Sequence, residues 1–318
     1  MSAIRFMRDK VLTKIAASSD ANGAALPLPF SHPTRASIPP THPSFFPHDE
    51  KCKCWLKNVG GCLLLWTFST NLQKSNWRED VVYLYQFPRA PIAPNISPFC
   101  LKVETFLRAN NINFEVIGKW SAQHAPQKRF PFIELNGKQI SDTQVILWRL
   151  ADHFNIDDGM DEEQRAKARA IEKLIEGSLY YALLRFVSYE NASKLVSPEV
   201  SGLPIPALLA YFIAKRMAKQ AEKRLDVEGT LRHPRQITLE SLSRDLHALA
   251  VLLGDKKFFM GVRPTTPDFC AFGHLGVAYH IPFEHPAKKM LETDEQLGPL
   301  KLLIERMRMD YWPNWPKA

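Results

Sequence analysis

The order of elements between Val81 and Leu150 constrains this chain more than any other feature. Val81-Val-Tyr-Leu-Tyr85 is a β-rich run, followed by a loop broken by Pro88, Pro91 and Pro94. Ser97-Pro-Phe-Cys-Leu-Lys-Val-Glu-Thr-Phe-Leu-Arg108 then has helical periodicity. Its Ser can cap the free amides of the first turn, and Pro98 carries the dihedral a helix needs at its first position. Phe114-Glu-Val-Ile117 predicts a second strand. Phe130-Pro-Phe-Ile-Glu-Leu135 leads through Asn136-Gly137, a pair suited to a type I′ turn, into Lys138-Gln-Ile140. Ser141-Asp-Thr143 opens another helix that runs through Leu150. A β-α-β unit, then a hairpin and a helix, outlines a thioredoxin-like α/β domain, expected over 81–156.

Beyond Asp157-Asp-Gly159 the pattern is helical, which predicts an all-α second domain over 160–316. Ile171, Leu174, Ile175, Ser178 and Ala182 share one face, as do Leu239, Leu242, Leu246, Leu249 and Leu253, and later Leu300, Leu303, Ile304 and Met307. Thr265-Thr-Pro-Asp268 ahead of an apolar run is a capping box.

The residues before Val81 read differently. Residues 1–53 form a basic, proline-rich tail expected to be disordered, with seven prolines between 27 and 47. Arg5, Arg8, Lys10 and Lys14 against Asp9 weakly resemble a mitochondrial presequence, though a plain basic tail accounts for them better. Residues 54–72 hold the most apolar window, but its clean run of ten residues is short of the roughly 18 to 20 that cross a bilayer. Lysines and tryptophans flank it, and Cys52, Cys54 and Cys62 are available for acylation. Residues 51–78 therefore suit either a membrane surface or an extra packed helix. His48 with those cysteines matches no metal-site spacing, nor do His274, His280 and His285, and no metal is expected. Residues 1–80 as a whole are expected to be dispensable for folding.

The formal charge is +8, half of it from residues 1–80, where ten basic side chains face six acidic ones. The folded part is only mildly basic and lacks a Lys/Arg stripe interleaved with aromatics, so nucleic acid is not an expected partner. Five cysteines do not form a disulfide framework in 318 residues, which points to a reducing compartment.

Four stretches together resemble one family: Ser97–Arg108, Leu252-Leu-Gly-Asp-Lys-Lys-Phe-Phe-Met-Gly261, Phe272-Gly-His-Leu275 and Tyr311-Trp-Pro-Asn-Trp315. They resemble the failed axon connections family, relatives of the metaxins with the glutathione S-transferase fold. The group is also similar to cadmium-responsive proteins of nematodes. The resemblance implies a thioredoxin-like half followed by an all-helical half, and glutathione as co-substrate. It further implies that Phe130 and Pro131 hold the cysteinyl backbone of glutathione, and that Asp142 with Thr143 holds its γ-glutamyl end. Lys119, Lys128 and Arg129 are the cations available for the glycyl carboxylate.

Ser97 is the expected catalytic residue. A helix N-terminus carries about half a positive charge, and a hydroxyl there can donate to a thiolate. Ser stands where redox relatives carry Cys, so the sulfur must come from the ligand. Cys100 is a second candidate thiol, although one turn inside the helix it also reads as a small buried apolar residue. Ser97 and Thr143 serve equally as helix caps, and Asp142 as a partner of the helix dipole. Tyr180, Tyr181, Phe186 and Tyr189 read as core or as the wall of an acceptor pocket. The proline-rich loop from Phe87 to Ile96 is long enough to displace Ser97 or to cover the site.

Two functions follow. One is a glutathione-dependent transferase acting on small electrophiles, in detoxification of stress or metal. The other is a metaxin-like, non-catalytic interaction module on a membrane, with a protein partner and a role in axon development. Cytoplasmic location, with or without membrane association, is expected over the mitochondrial outer membrane. Homodimerisation is compatible with both.

Overall fold

A computed structural model describes residues 72–315. The expectations for residues 1–71, including His48, Cys52, Cys54, Cys62 and nearly all of the apolar segment 54–72, fall outside the described residues. From residue 72 the chain folds as an α/β half followed by a helical half.

Four strands, β1 (Val82–Gln86), β2 (Phe114–Gly118), β3 (Phe132–Leu135) and β4 (Lys138–Ser141), form one mixed sheet in the order β2-β1-β3-β4. β1 is parallel to β2 and antiparallel to β3, and β3 is antiparallel to β4. Asn136 and Gly137 turn the hairpin at φ 48° and 75°, as a type I′ turn requires. The central strand is buried on both faces. Val82 and Leu84 point into the main core, beneath α1 (Pro98–Ala109) and α2 (Thr143–His153), while Tyr83 and Tyr85 point the other way with Phe132. That second face is covered by Ala125 in the irregular β2–β3 connection and by the lead-in to β1.

The lead-in, part of the residues expected to be dispensable for folding, is bonded to the sheet. The amides of Gln73 and Lys74 donate to the two oxygens of Glu134 at 2.7 and 3.0 Å. Arg78 donates its amide to the Tyr83 hydroxyl, Lys74 and Arg78 pair with Glu115, and Asp80 bonds Asn136 and His153. Glu134 is buried on β3, so it needs these donors. The folded unit therefore includes residues 73–80.

The helical half begins with α3 (Glu162–Lys173), which continues through a π-helical stretch Leu174–Leu179, α4 (Tyr180–Leu183) and a second π-helical stretch Leu184–Tyr189. Each π turn adds a residue and rotates the faces beyond it. As a result Leu179 is buried, whereas Ser178, expected on the apolar face, is half-buried and donates to Asp245 at 2.6 Å. There follow α5 (Ala192–Val196), α6 (Pro198–Ser201), α7 (Ala207–Glu228), α8 (Arg235–Leu253), α9 (Thr266–Ala271), α10 (Val277–His280), α11 (Pro286–Thr293) and α12 (Gly298–Tyr311). The capping box opens α9. Asp268 accepts from the Thr265 amide and hydroxyl, and also from the Phe259 amide.

The two halves meet along α1. A Cβ on Gly273 would come within 2.5 Å of the Pro98 carbonyl, so only glycine allows that approach. The fully buried Lys102 bonds Glu176 at 2.8 Å and Gln144 at 3.1 Å, tying α1 to α2 and to the first π stretch. At the chain's far end Trp312 donates to Thr105 at 3.0 Å and lies 4.1 Å beneath the Arg108 guanidinium.

Candidate functional site

Strand register decides where the expected site residues fall. Tyr85, Phe132 and Ser141 form one row across the sheet, and Gln86 pairs with Gly118 one residue further along. The C-terminal ends of β1 and β4 and the N-terminal end of β3 thus lie at one end of the sheet. α1 follows β1, Pro131 precedes β3, and α2 follows β4. Ser97, Phe130, Pro131, Asp142 and Thr143 accordingly gather there, together with the N-termini of two helices.

Ser97 occupies the cap of α1 with extended backbone, φ −89° and ψ 119°, and its Oγ accepts from the Cys100 amide at a long 3.5 Å. Its own amide donates to Asn95 Oδ1 at 2.9 Å, and Asn95 Nδ2 donates to the Phe87 carbonyl at 2.9 Å. The proline-rich loop is thereby pinned at both ends without dislodging Ser97. Ala90, Ile92, Ala93 and Asn95 are buried, and Arg89 anchors the loop to the Pro94 carbonyl and to Glu104. Ser97 itself is half-buried.

The Phe130–Pro131 peptide is cis. The Phe130 ring meets Phe87 edge-on at 5.2 Å and stacks on Phe132, which stacks on Tyr85. Asp142 caps α2 from a left-handed backbone, φ 72° and ψ 121°, which a non-glycine residue adopts only at a cost of order 1–3 kcal/mol. One carboxylate oxygen, Oδ1, takes both the Gln144 amide at 3.0 Å and the Val145 amide at 3.3 Å. Its Oδ2 has no partner among the described residues. Thr143 is the first helical residue and is buried.

Cys100 is fully buried. Burial pushes its thiol up to about 12, against the smaller opposing effect of bonds to Ser97 and the Phe87 backbone, so it stays protonated at neutral pH and packs as an apolar group. Lys119 donates to Gln73 at 2.7 Å and sits 5.5 Å from the Tyr85 ring centre, so it already has partners within the chain. Lys128 and Arg129 are exposed.

Beyond the first turn of α1 lies an aromatic cluster that the sequence alone did not bring together. Phe99 meets Tyr180 at 5.2 Å and His274 at 5.1 Å, and Arg224 reaches the Tyr180 hydroxyl at 3.5 Å. Tyr180, Tyr181 and Tyr189 are half-buried, and Phe186 belongs to the core. Burial pushes His274 down to about 4, leaving it neutral, with Nδ1 on the Cys270 carbonyl at 2.9 Å. His280 and His285 lie apart from it, facing Glu305 and the Ala278 carbonyl. Among the described residues no group of three His, Cys, Asp or Glu side chains is placed to hold a metal, and no helix is long and apolar enough to cross a membrane. A cavity of about 380 Å³ opens at the opposite end of α1, lined by Leu107, Arg108, Ile112, Phe114 and Tyr311.

Known proteins carry the same two halves. The glutathione S-transferase N-terminal domain matches residues 98–193 and the corresponding C-terminal domain matches residues 242–300. Failed axon connections of Drosophila melanogaster is 30% identical over 258 residues, covering 77% of this chain and 61% of the fly protein. This chain thus spans about three-fifths of that relative's length. Metaxin-2 of Mus musculus is 22% identical over 245 residues, covering 76% of this chain and 92% of the mouse protein. The isoprene-epoxide–glutathione S-transferase of a Rhodococcus strain is 23% identical over 240 residues, covering 73% of this chain and 99% of that enzyme. Among solved structures, a β-etherase from Sphingobium shares 16% identity at a TM-score of 0.49, over 71% of this chain and 94% of that one.

Proposed function

Because the chain belongs with the glutathione S-transferase-fold proteins that include Failed axon connections and metaxin-2, we propose that it binds glutathione at this end of the sheet and transfers its sulfur to a small electrophile. The observation that carries the reading is the convergence of Ser97 and Asp142, each at the N-terminus of its own helix, beside Phe130 and Pro131. Glutathione at neutral pH has two carboxylates, an ammonium group and a thiol. The positive end of α1 and the Ser97 hydroxyl suit the sulfur as thiolate, since both favour its charged form. The positive end of α2 suits the γ-glutamyl carboxylate, and the unused Asp142 Oδ2 suits the neighbouring ammonium. The peptide groups around Pro131 suit the cysteinyl main chain between them.

In the reaction the bound thiol first loses its proton to water. The thiolate then attacks an electrophilic carbon. The carbon–sulfur bond forms as the bond to the leaving group, or to the oxygen of a strained ring, breaks and takes its electron pair with it. Phe99 and Tyr180, both half-buried, offer the electrophile an apolar, aromatic wall, with His274 packed behind Phe99. Cys100 and Cys270, both buried and free, fit a reducing compartment such as the cytoplasm.

A second reading, a binding module without turnover, is favoured by the engagement of Lys119 with Gln73 and Tyr85. Calorimetric titration with glutathione, run beside a conjugation assay with a chlorodinitrobenzene acceptor, separates the two. Saturable binding with turnover that falls about 30-fold to 1,000-fold in Ser97→Ala supports the transferase, since one preorganised donor is worth about 2–4 kcal/mol. No binding removes it.

A further inference from the structure

In the first turns of α7 alanines face inward while Leu208, Leu209, Tyr211 and Phe212 face water. Ala210 and Ala214 pack on Ala192 and Val196 of α5, and Ala221 and Leu225 pack on Leu184. Leu208, Leu209, Tyr211 and Phe212 point outward, 71%, 48%, 57% and 58% exposed. The Tyr211 and Phe212 rings touch edge to face at 5.6 Å, and Leu208 and Leu209 lie at i,i+3 or i,i+4 spacing from them on the helix surface, which makes one patch of the four. A helix on a soluble surface normally reverses this arrangement, and a contiguous apolar patch of this kind marks a contact surface.

Charge indicates what makes the contact. Residues 207–221 contain Lys215, Arg216 and Lys219 and no Asp or Glu. All three cations are exposed, and none is paired with an acid among the described residues. Phe212 and Arg216 are one turn apart, about 6 Å along the axis, so the apolar patch gives way directly to a cationic band. A second copy of this chain, docking by the same face, would bring no acid from this stretch to meet that band. An anionic bilayer supplies both halves of the complement: acyl chains for the patch and phosphates for the band.

We propose that α7 is a peripheral docking surface for an anionic lipid bilayer, with Leu208–Phe212 entering the acyl boundary and Lys215, Arg216 and Lys219 lying among the headgroups. The test is flotation of the full chain with vesicles of phosphatidylcholine alone and of phosphatidylcholine with phosphatidylglycerol. Two variants accompany it, Leu209→Ser/Phe212→Ser and Lys215→Glu/Arg216→Glu/Lys219→Glu. Their altered side chains are all exposed, so both should melt as the parent does by circular dichroism. The parent should float with anionic vesicles only. The charge-reversed variant should partition roughly 100-fold more weakly, and the apolar variant about 10-fold more weakly. Equal partitioning of parent and variants would mean that another part of the chain binds, and equal flotation on both vesicle types would remove the charge argument; either overturns the proposal. A parent that floats on neither also overturns it. If light scattering then shows a dimer that Leu209→Ser/Phe212→Ser abolishes, the patch belongs to a second copy.

Discussion

Replacing Glu134 by glutamine would show how firmly the lead-in is part of the domain. Glu134 is 2% exposed and accepts four hydrogen bonds, two at each oxygen. Oε1 takes the Gln73 amide and Gln139 Nε2, both at 2.7 Å, and Oε2 takes the Lys74 amide at 3.0 Å and the Tyr85 hydroxyl at 2.9 Å. Glu134→Gln keeps the shape but turns one oxygen into a donor that faces two donors. The Tyr85 hydroxyl can rotate to accept, and the Gln139 amide can invert, but a main-chain N–H cannot. Whichever oxygen is replaced, one amide of the lead-in loses its acceptor, at about 1–3 kcal/mol, and the bonds that remain lose the carboxylate's charge. The total is about 2–4 kcal/mol. At about 2–4 °C per kcal/mol for a unit of this size, the midpoint should fall by about 4–16 °C. Limited trypsin digestion should accelerate after Lys74 and Arg78, and a chain starting at residue 72 should melt like the full chain while one starting at residue 81 melts lower. A Glu134→Gln protein that melts within a degree of the parent and resists trypsin equally would refute the reasoning. The consequence reaches the site, because Tyr85 stacks on Phe132 and Phe132 on Phe130.

Asp268→Ala should cost about 2–5 kcal/mol in urea unfolding, because it strands the Thr265 and Phe259 amides inside the core. Asp268→Asn should recover part of that loss. Burial pushes Asp268 up to about 6, so its contribution is present below about pH 4 and lost as pH rises through 6; Asp268→Asn should remove that slope from the pH profile. Burial pushes His274 down to about 4, so its contribution is present above about pH 6.5 and lost as pH falls through 4. In a His274→Gln protein the unfolding free energy from urea titrations across pH should lose that acid limb, about 3 kcal/mol in extent. Cys100 and Cys270 should resist iodoacetamide in the native protein and react on unfolding, as read by mass spectrometry. Native labelling at either would contradict their burial.

The α/β half was legible because its signals are local. Ser-Pro at a helix start, Asn-Gly between two β runs and Ser-Asp-Thr ahead of an apolar pattern each act within a few residues, and each fell where it was read. What stayed hidden depends on partners far apart in the chain. The lead-in has no apolar pattern; it is held by amides reaching Glu134 some 60 residues on, and its only trace was an acid in the middle of Phe-Ile-Glu-Leu. Lys102 reads as a solvent-facing helical lysine until Glu176, 74 residues away, is brought to it. The π turns spoil a 3.6-residue count, which is why Ser178 was assigned the place that Leu179 takes. Phe99 lies in the Ser97–Arg108 stretch and His274 in Phe272–Leu275, but their contact appears only when the helical half closes on α1. At the start of α7 the alanines hide the buried face, because periodicity counts large apolar residues as core and here Leu208, Leu209, Tyr211 and Phe212 face outward.

The most direct test of the central claim is the titration of glutathione's own thiol on the protein, followed by the ultraviolet absorbance of the thiolate. Free cysteine thiols ionise near 8.5. If Ser97 and the positive end of α1 hold the sulfur as thiolate, the bound thiol should ionise at least one pH unit lower than free glutathione, and Ser97→Ala should move it most of the way back while glutathione still binds. A bound thiol that ionises where free glutathione does, or one that is unchanged in Ser97→Ala, would contradict the account.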